Sequence, residues 1–148
     1  MQSIVSNSPY QTKTIGIFLG EEIKKTKTSQ NKALIIALIG DLGAGKTVFI
    51  KGLMQGLGIK KKIVSPTFII FRRLNNAYNR GAIYHIDAYR LKKEKDILSL
   101  GFKQILAGPK NIVIIEWAER IKKSVPSGAI WIKLEYGQKN NQRIISFL

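Results

Sequence analysis

The sequence predicts an α/β fold: a three-layer sandwich with a mixed, mainly parallel central sheet and helices on both faces. Three observations predict it. The run ALIIALI, Ala33 to Ile39, is continuously apolar and of strand length, as expected of a strand buried on both faces. A glycine-rich loop and a segment of helical periodicity follow it directly. Later come more strand-like runs, two pairs of them around turn-rich segments, so hairpins should make the sheet mixed. At 148 residues the chain suits one domain with one core, and residues 1–148 are read as a single domain.

Taken in order, TKTIGIFLGEEIKK places Ile15, Leu19 and Ile23 four residues apart with Phe18 beside them. That is one apolar helical stripe, weakened by Gly16 and Gly20. KTSQNK is a polar linker. After the glycine-rich loop, Phe49, Leu53 and Leu57 form a second helical stripe, and Gly58 suits its C-terminal stop. KKKIVSPTF reads as a loop, because Pro66 disfavours helix at Ser65. FIIFRRL and AIYHIDAYR read as a hairpin around NNAYNRG. KEKDILSLGFKQIL is one helix or two short ones, NIVIIEW a buried strand, and AERIKKSVP a short helix ending near Pro126. AIWIKLEY and RIISFL close the chain as a hairpin around GQKNNQ.

Composition excludes several function classes. The absence of cysteine rules out disulfides, thiolate catalysis and Cys-ligated zinc, and a single histidine, His85, rules out a multi-histidine metal site. The segment MQSIVSNSPY lacks the basic start and apolar core of a secretory signal. The longest apolar run falls far short of the roughly 20 residues that span a bilayer. A cytoplasmic protein without a membrane partner is therefore expected. The net charge, 25 basic minus 9 acidic residues or +16, invites an acidic partner such as RNA. However, the lysine clusters are scattered, and no motif with stacking aromatics accompanies them. Solvated lysine surface is the favoured explanation over direct nucleic-acid binding.

The chemistry lies in LIGDLGAGKTVF. Its Gly40-x-x-x-x-Gly45-Lys46-Thr47 spacing is that of a phosphate-binding loop. A random chain of this length carries the pattern on the order of 1% of the time. Here a buried-type strand ends just before it and a helix begins just after it, as the mechanism requires. Backbone N–H groups of Gly43, Ala44, Gly45, Lys46, Thr47 and Val48 can turn inward and cradle phosphates. Lys46 would bring a point charge to the β- and γ-phosphates, and Thr47 a hydroxyl to Mg2+. The ion also needs a carboxylate at a strand end. Glu116 closes IVIIE and Asp87 closes IYHID, where ligands sit in α/β sheets. His85 reads as structural, and Trp117 as either packing or nucleotide stacking. Guanine-specific switches carry Asn-Lys-x-Asp after the loop; Asn31-Lys32 precedes it and lacks the Asp, so ATP is the better nucleotide. A small-molecule kinase would use an arginine-bearing lid. Arg72, Arg73, Arg80 and Arg90 are available, without a clear lid segment.

Four motifs thus stand in order: GDLGAGKT at 40–47, SPTF at 65–68, HIDAYRL at 85–91 and IEWAE at 115–119. The set resembles the bacterial tRNA threonylcarbamoyladenosine biosynthesis ATPase family, TsaE (also called YjeE), over nearly the whole chain. LGF at 100–102 and the opening helix are similar too. The resemblance implies a small P-loop ATPase working with two partners, TsaB and TsaD. TsaD transfers a threonylcarbamoyl group onto adenosine 37 of tRNA, which the ATPase meets only through the complex. It implies that Gly43 to Val48 bind ATP, that Thr47 and Glu116 ligate Mg2+, and that Asp87 lies near the metal or the attacking water. It also implies a switch-type loop at Ser65 to Phe68 and a nucleotide-side wall at Trp117. Val48, Ala88 and Ala118 depart from the family pattern, which more often has threonine, leucine and proline there.

The resulting expectation is in-line attack of water on the γ-phosphate, with Lys46 and Mg2+ neutralising developing charge. Asp87, Glu116 or Thr67 orients the water; the sequence does not choose among them. No obvious arginine finger is present, so turnover should be very slow alone and partner-activated. The alternatives are a small-molecule kinase and a non-catalytic nucleic-acid module. Oligomeric state is open.

Overall fold

A computed structural model describes residues 2–26, 31–60, 71–76 and 81–148. SPTF, and Thr67 with it, lies outside the described residues. Two compact units emerge. Among described residues, the first comprises 2–26, 39–60 and 131–148, and the second 31–38, 71–76 and 81–130.

Among described residues, the first unit holds two helices and three strands. Helix α1 spans Pro9–Lys25, three residues longer at its start than the apolar stripe suggests. Ser8 caps it, its hydroxyl accepting from the Gln11 N–H at 3.1 Å, and Pro9 occupies the first turn, where a missing N–H costs nothing. Lys24 and Lys25 in the last turn complement the helix dipole. Helix α2 spans Lys46–Gly56 and buries Phe49, Ile50, Leu53 and Met54. Gly58, at φ 88°, follows its end, as the expected stop.

The contact between the two helices overturns the expected stripe. Thr12, Gly16 and Gly20 form the buried face of α1. Ile15, Leu19 and Ile23 are half-buried, and Phe18 is exposed. The reason is backbone proximity. A β-carbon on Gly16 would lie 2.3 Å from the Phe49 carbonyl oxygen, and one on Gly20 2.4 Å from that of Leu53. The approach is reciprocal: a β-carbon on Gly52 would meet the Lys13 oxygen at 2.0 Å, and one on Gly56 the Ile17 oxygen at 2.2 Å. The glycines that weaken helix propensity are the residues that let the helices touch.

Strand β6, Ile130–Tyr136, and strand β7, Arg143–Phe147, form the expected antiparallel hairpin, with Tyr136 opposite Arg143. Strand β1, Gln2–Ser6, adds antiparallel to the far side of β7. The sequence reading did not anticipate β1, because four of its five residues are exposed and no alternation marks them.

The second unit orders its strands β2-β5-β4-β3. They are β2 Leu34–Ile39, β3 Phe71–Asn76, β4 Gly81–Asp87 and β5 Ile112–Glu116. β2 and β4 both run parallel to β5, and β3 returns antiparallel to β4 as the expected hairpin. All five residues of β5 are buried, which fits a strand covered on both faces. The segment after β4 forms a 3-10 helix, Glu94–Leu100, then helix α3, Phe102–Ala107. Gly101 at φ 73° separates them, so the two-piece reading holds. The short helix at Ala118–Ser124 is likewise 3-10.

In most exposed helices, glycine to alanine gains about 0.5–1 kcal/mol. At Gly16 and Gly52 the sign should reverse. We expect Gly16→Ala and Gly52→Ala each to destabilise the fold by about 1–3 kcal/mol, the usual cost of overpacking. Urea unfolding followed by circular dichroism would measure it.

Candidate functional site

The phosphate-loop residues belong to the first unit. Two glycines set the loop's course. Gly43 has φ 77° and Gly45 φ 98°, backbone that L side chains rarely adopt. The Ala44 N–H donates to the Asp41 carbonyl at 3.1 Å and closes the turn. Gly45 is the N-cap of α2 and brings no side chain to cover the helix's leading N–H groups, where the dipole favours an anion. Lys46 is buried, and its ammonium group donates to the carbonyls of Gly40 and Asp41. The loop therefore already carries its cation folded against its own outer turn. Thr47 and Val48 continue into the first turn of α2.

The β6–β7 hairpin meets this loop. The Tyr136 hydroxyl donates to the Leu42 carbonyl at 2.6 Å. The Arg143 guanidinium donates to the Gly43 carbonyl at 3.2 Å and lies over the Tyr136 ring, 4.5 Å from its centroid. A cleft of about 90 Å3 opens beside them, lined by Thr12, Gly43, Gly45, Val48, Asn141 and Arg143 among others. From sequence, Thr12 belongs to no site, and the segment YGQKNNQR at 136–143, which holds Tyr136, Asn141 and Arg143, is an open candidate for adenine-side contacts only. Tyrosine and arginine are ordinary strand residues, and only the pairing of β6 with β7 brings them to the loop.

The acidic candidates belong to the second unit. Asp87 ends β4 and Glu116 ends β5, and the parallel register sets them side by side. They are 8% and 3% exposed, so two carboxylates are nearly dry at neighbouring strand ends. Burial raises the Asp87 carboxyl above its ordinary value; the Tyr89 N–H, which donates to it at 3.0 Å, opposes this, and Glu116 reinforces it. Such a pair is the environment a cation relieves. Among described residues no cluster of three or more His, Cys, Asp or Glu side chains could hold a metal alone.

His85 is fully buried, and its Nε2 lies 2.8 Å from Glu116 Oε1. Among the described residues its Nδ1 has no hydrogen-bond partner. The neutral tautomer with hydrogen on Nε2 meets these facts best, donating to Glu116 and leaving only a lone pair unsatisfied. The histidine read as structural is thus structural for a carboxylate of the site. Trp117 follows directly, at φ 58°. A bulky residue in the left-handed region is strained, and such strain collects at functional positions. Its indole packs on Tyr89 with centroids 4.9 Å apart, and Arg120 covers the other partner of that pair at 4.7 Å from the Tyr89 centroid.

The raised Asp87 carboxyl has a stability consequence. The folded chain holds that proton more tightly than the unfolded chain, so the group penalises folding above its raised value and not below its ordinary 3.8. Asp87→Asn keeps an oxygen for the Tyr89 N–H and removes the charge. We expect the variant to melt higher than the parent at pH 7, with the gain vanishing as pH falls below about 4. Thermal melts across pH 3–8 check this.

Comparison with known proteins places this geometry among relatives. The family model described as threonylcarbamoyl adenosine biosynthesis protein TsaE matches residues 6–145. A Treponema pallidum protein, named tRNA threonylcarbamoyladenosine biosynthesis protein TsaE, is 34% identical over 95% of this chain and 96% of its own length. A Nostoc protein of the same name is 39% identical over 89% of this chain and 76% of its own. A Bacillus subtilis one is 33% identical, over 93% and 79%. Among solved structures, the crystal structure of Bacillus subtilus YdiB matches with a TM-score of 0.75 and 27% identity, covering 99% of this chain and 83% of that one. The fold class is accordingly α/β, the P-loop NTPase class with a mixed, mainly parallel sheet and helices.

Proposed function

Because the chain belongs to the TsaE family of tRNA threonylcarbamoyladenosine biosynthesis, we propose that it is a P-loop ATPase. It binds ATP with Mg2+, hydrolyses it slowly, and serves with TsaB and TsaD in threonylcarbamoylation of adenosine 37. The observation that carries this reading is the loop at 40–47: glycines in left-handed backbone, an uncapped helix start and a buried lysine beside it. No described helix is long and apolar enough to cross a membrane; a cytoplasmic location, with tRNA met only through the complex, completes the proposal.

In this reading, the ATP phosphates displace the Gly40 and Asp41 carbonyls as partners of Lys46. The N–H groups of Gly43 and of Gly45 to Val48 take the phosphate oxygens, while that of Ala44 stays on the Asp41 carbonyl. The cleft beside Thr12, Val48 and Asn141 receives the nucleoside. Thr47 and Glu116 would hold Mg2+, with Asp87 near it; bound there, the ion supplies charge neutralisation at the β- and γ-phosphate oxygens. Water attacks the γ-phosphorus in line while the bond to the β,γ-bridging oxygen breaks and ADP leaves. Asp87, Glu116 or Thr67 orients the water. Asp87 suits proton acceptance best on chemical grounds, since burial makes its carboxylate more basic than usual. His85 keeps Glu116 turned to a fixed direction through its Nε2 hydrogen.

ATPase assays of the purified chain, with and without TsaB and TsaD, test the proposal. We expect very slow turnover alone and a clear rise with both partners. Lys46→Ala should lose ATP binding, and Glu116→Ala should cut partner-stimulated turnover by about 10²-fold or more. Brisk hydrolysis that the partners leave unchanged would sink the proposal, and phosphate transfer to a small acceptor would replace it with a kinase.

A further inference from the structure

The hairpin residues against the phosphate loop are more than packing. Tyr136 is 51% exposed, so core burial does not explain its position. Its hydroxyl nevertheless makes a 2.6 Å hydrogen bond to Leu42, 94 residues away in sequence. Arg143 is equally committed. Its guanidinium donates to the carbonyls of Asn140 and Gln142, both at 2.8 Å, and to that of Gly43 at 3.2 Å, while its face lies on the Tyr136 ring. A long, flexible cation is thereby held in one pose by three backbone acceptors and one aromatic face.

The carbonyls held, those of Leu42 and Gly43, belong to consecutive residues of the loop. A trans peptide is planar, with its C=O and the next N–H pointing in opposite directions. A donor that draws the Leu42 carbonyl outward therefore turns the Gly43 N–H inward. Gly43 is also matched to the tyrosine sterically. A β-carbon there would lie 2.4 Å from the Tyr136 hydroxyl oxygen, so glycine is what admits the hydroxyl to the loop.

We propose that Tyr136 and Arg143 are positioning residues for the phosphate loop, fixing its outer carbonyls so that the Gly43 N–H is preorganised for a nucleotide phosphate. The assignment rests on the nucleotide-binding reading of the loop. It adds a device that the loop's own sequence does not contain, supplied by the last hairpin. An unclamped loop would have to be ordered at the moment of binding, and that cost would appear as lost affinity.

The test is fluorescence titration of the full chain with an N-methylanthraniloyl derivative of ATP and of ADP, alongside melts of the nucleotide-free protein. Tyr136→Phe keeps the ring and its contact with Arg143 and removes only the hydroxyl. We expect it to weaken nucleotide binding about three- to ten-fold, the reach of one neutral hydrogen bond, with the nucleotide-free melting temperature unchanged. Arg143→Ala should weaken binding at least as much, and Arg143→Lys, which keeps a donor, should recover part of it. Unchanged affinity in Tyr136→Phe, with the parent binding normally, overturns the assignment alone. Affinity and nucleotide-free melting temperature falling together overturn it as well, because ordinary packing then accounts for both. A parent chain that binds neither nucleotide, and so matches Lys46→Ala, brings down the nucleotide reading and this assignment with it.

Discussion

The first unit depends on one approach, that of α1 to α2 at backbone distance. Gly16 and Gly20 on one helix and Gly52 and Gly56 on the other leave no room for a β-carbon. Without side chains between them, the crossing admits little rotation or sliding. α2 is the helix whose first turn carries Lys46 and Thr47. Seating α2 therefore seats the phosphate loop from behind, while Tyr136 and Arg143 hold it from the hairpin side. A loop made of glycine has no stiffness of its own, and its definition comes from what it is fastened to.

The second unit obeys a different constraint. Its centre is β5, buried along its whole length, and both it and its parallel neighbour β4 end in acids. Placing Asp87 beside Glu116 costs stability, because both lose water and each repels the other's charge. His85 offsets part of that cost with one directed hydrogen bond, at the further cost of an unpartnered Nδ1. Arrangements of this kind are kept where a ligand or an ion supplies the missing compensation.

Much of this was legible beforehand, and the reasons are specific. ALIIALI and IVIIE are continuous apolar runs, which a buried parallel strand requires. The glycine-rich loop before α2 and the two strand-end acids followed from where such strands stop. Both hairpins followed from their turn residues. Helix α1 was read on the wrong face, because hydrophobic periodicity assumes that side chains make the contact, and here the backbone does. Strand β1 was missed because an exposed edge strand carries no apolar alternation. YGQKNNQR stood open for adenine-side contacts, but the hold of Tyr136 and Arg143 on the Leu42 and Gly43 carbonyls comes from cross-strand register and leaves no motif. Glu116 and Asp87 were named separately; that they are neighbours in register is a property of the sheet.

Trp117 carries a consequence of another kind. Its backbone lies at φ 58°, and its indole is inclined at 47° to the Tyr89 ring with centroids 4.9 Å apart. Two chromophores so close and so inclined couple optically. Near-ultraviolet circular dichroism of the unlabelled protein should carry a component from this pair. Trp117 is bonded to Glu116, and Tyr89 donates its N–H to Asp87. Both acidic residues are therefore tied through the backbone to a built-in optical gauge, which would register a change at either strand end without a dye or a tag.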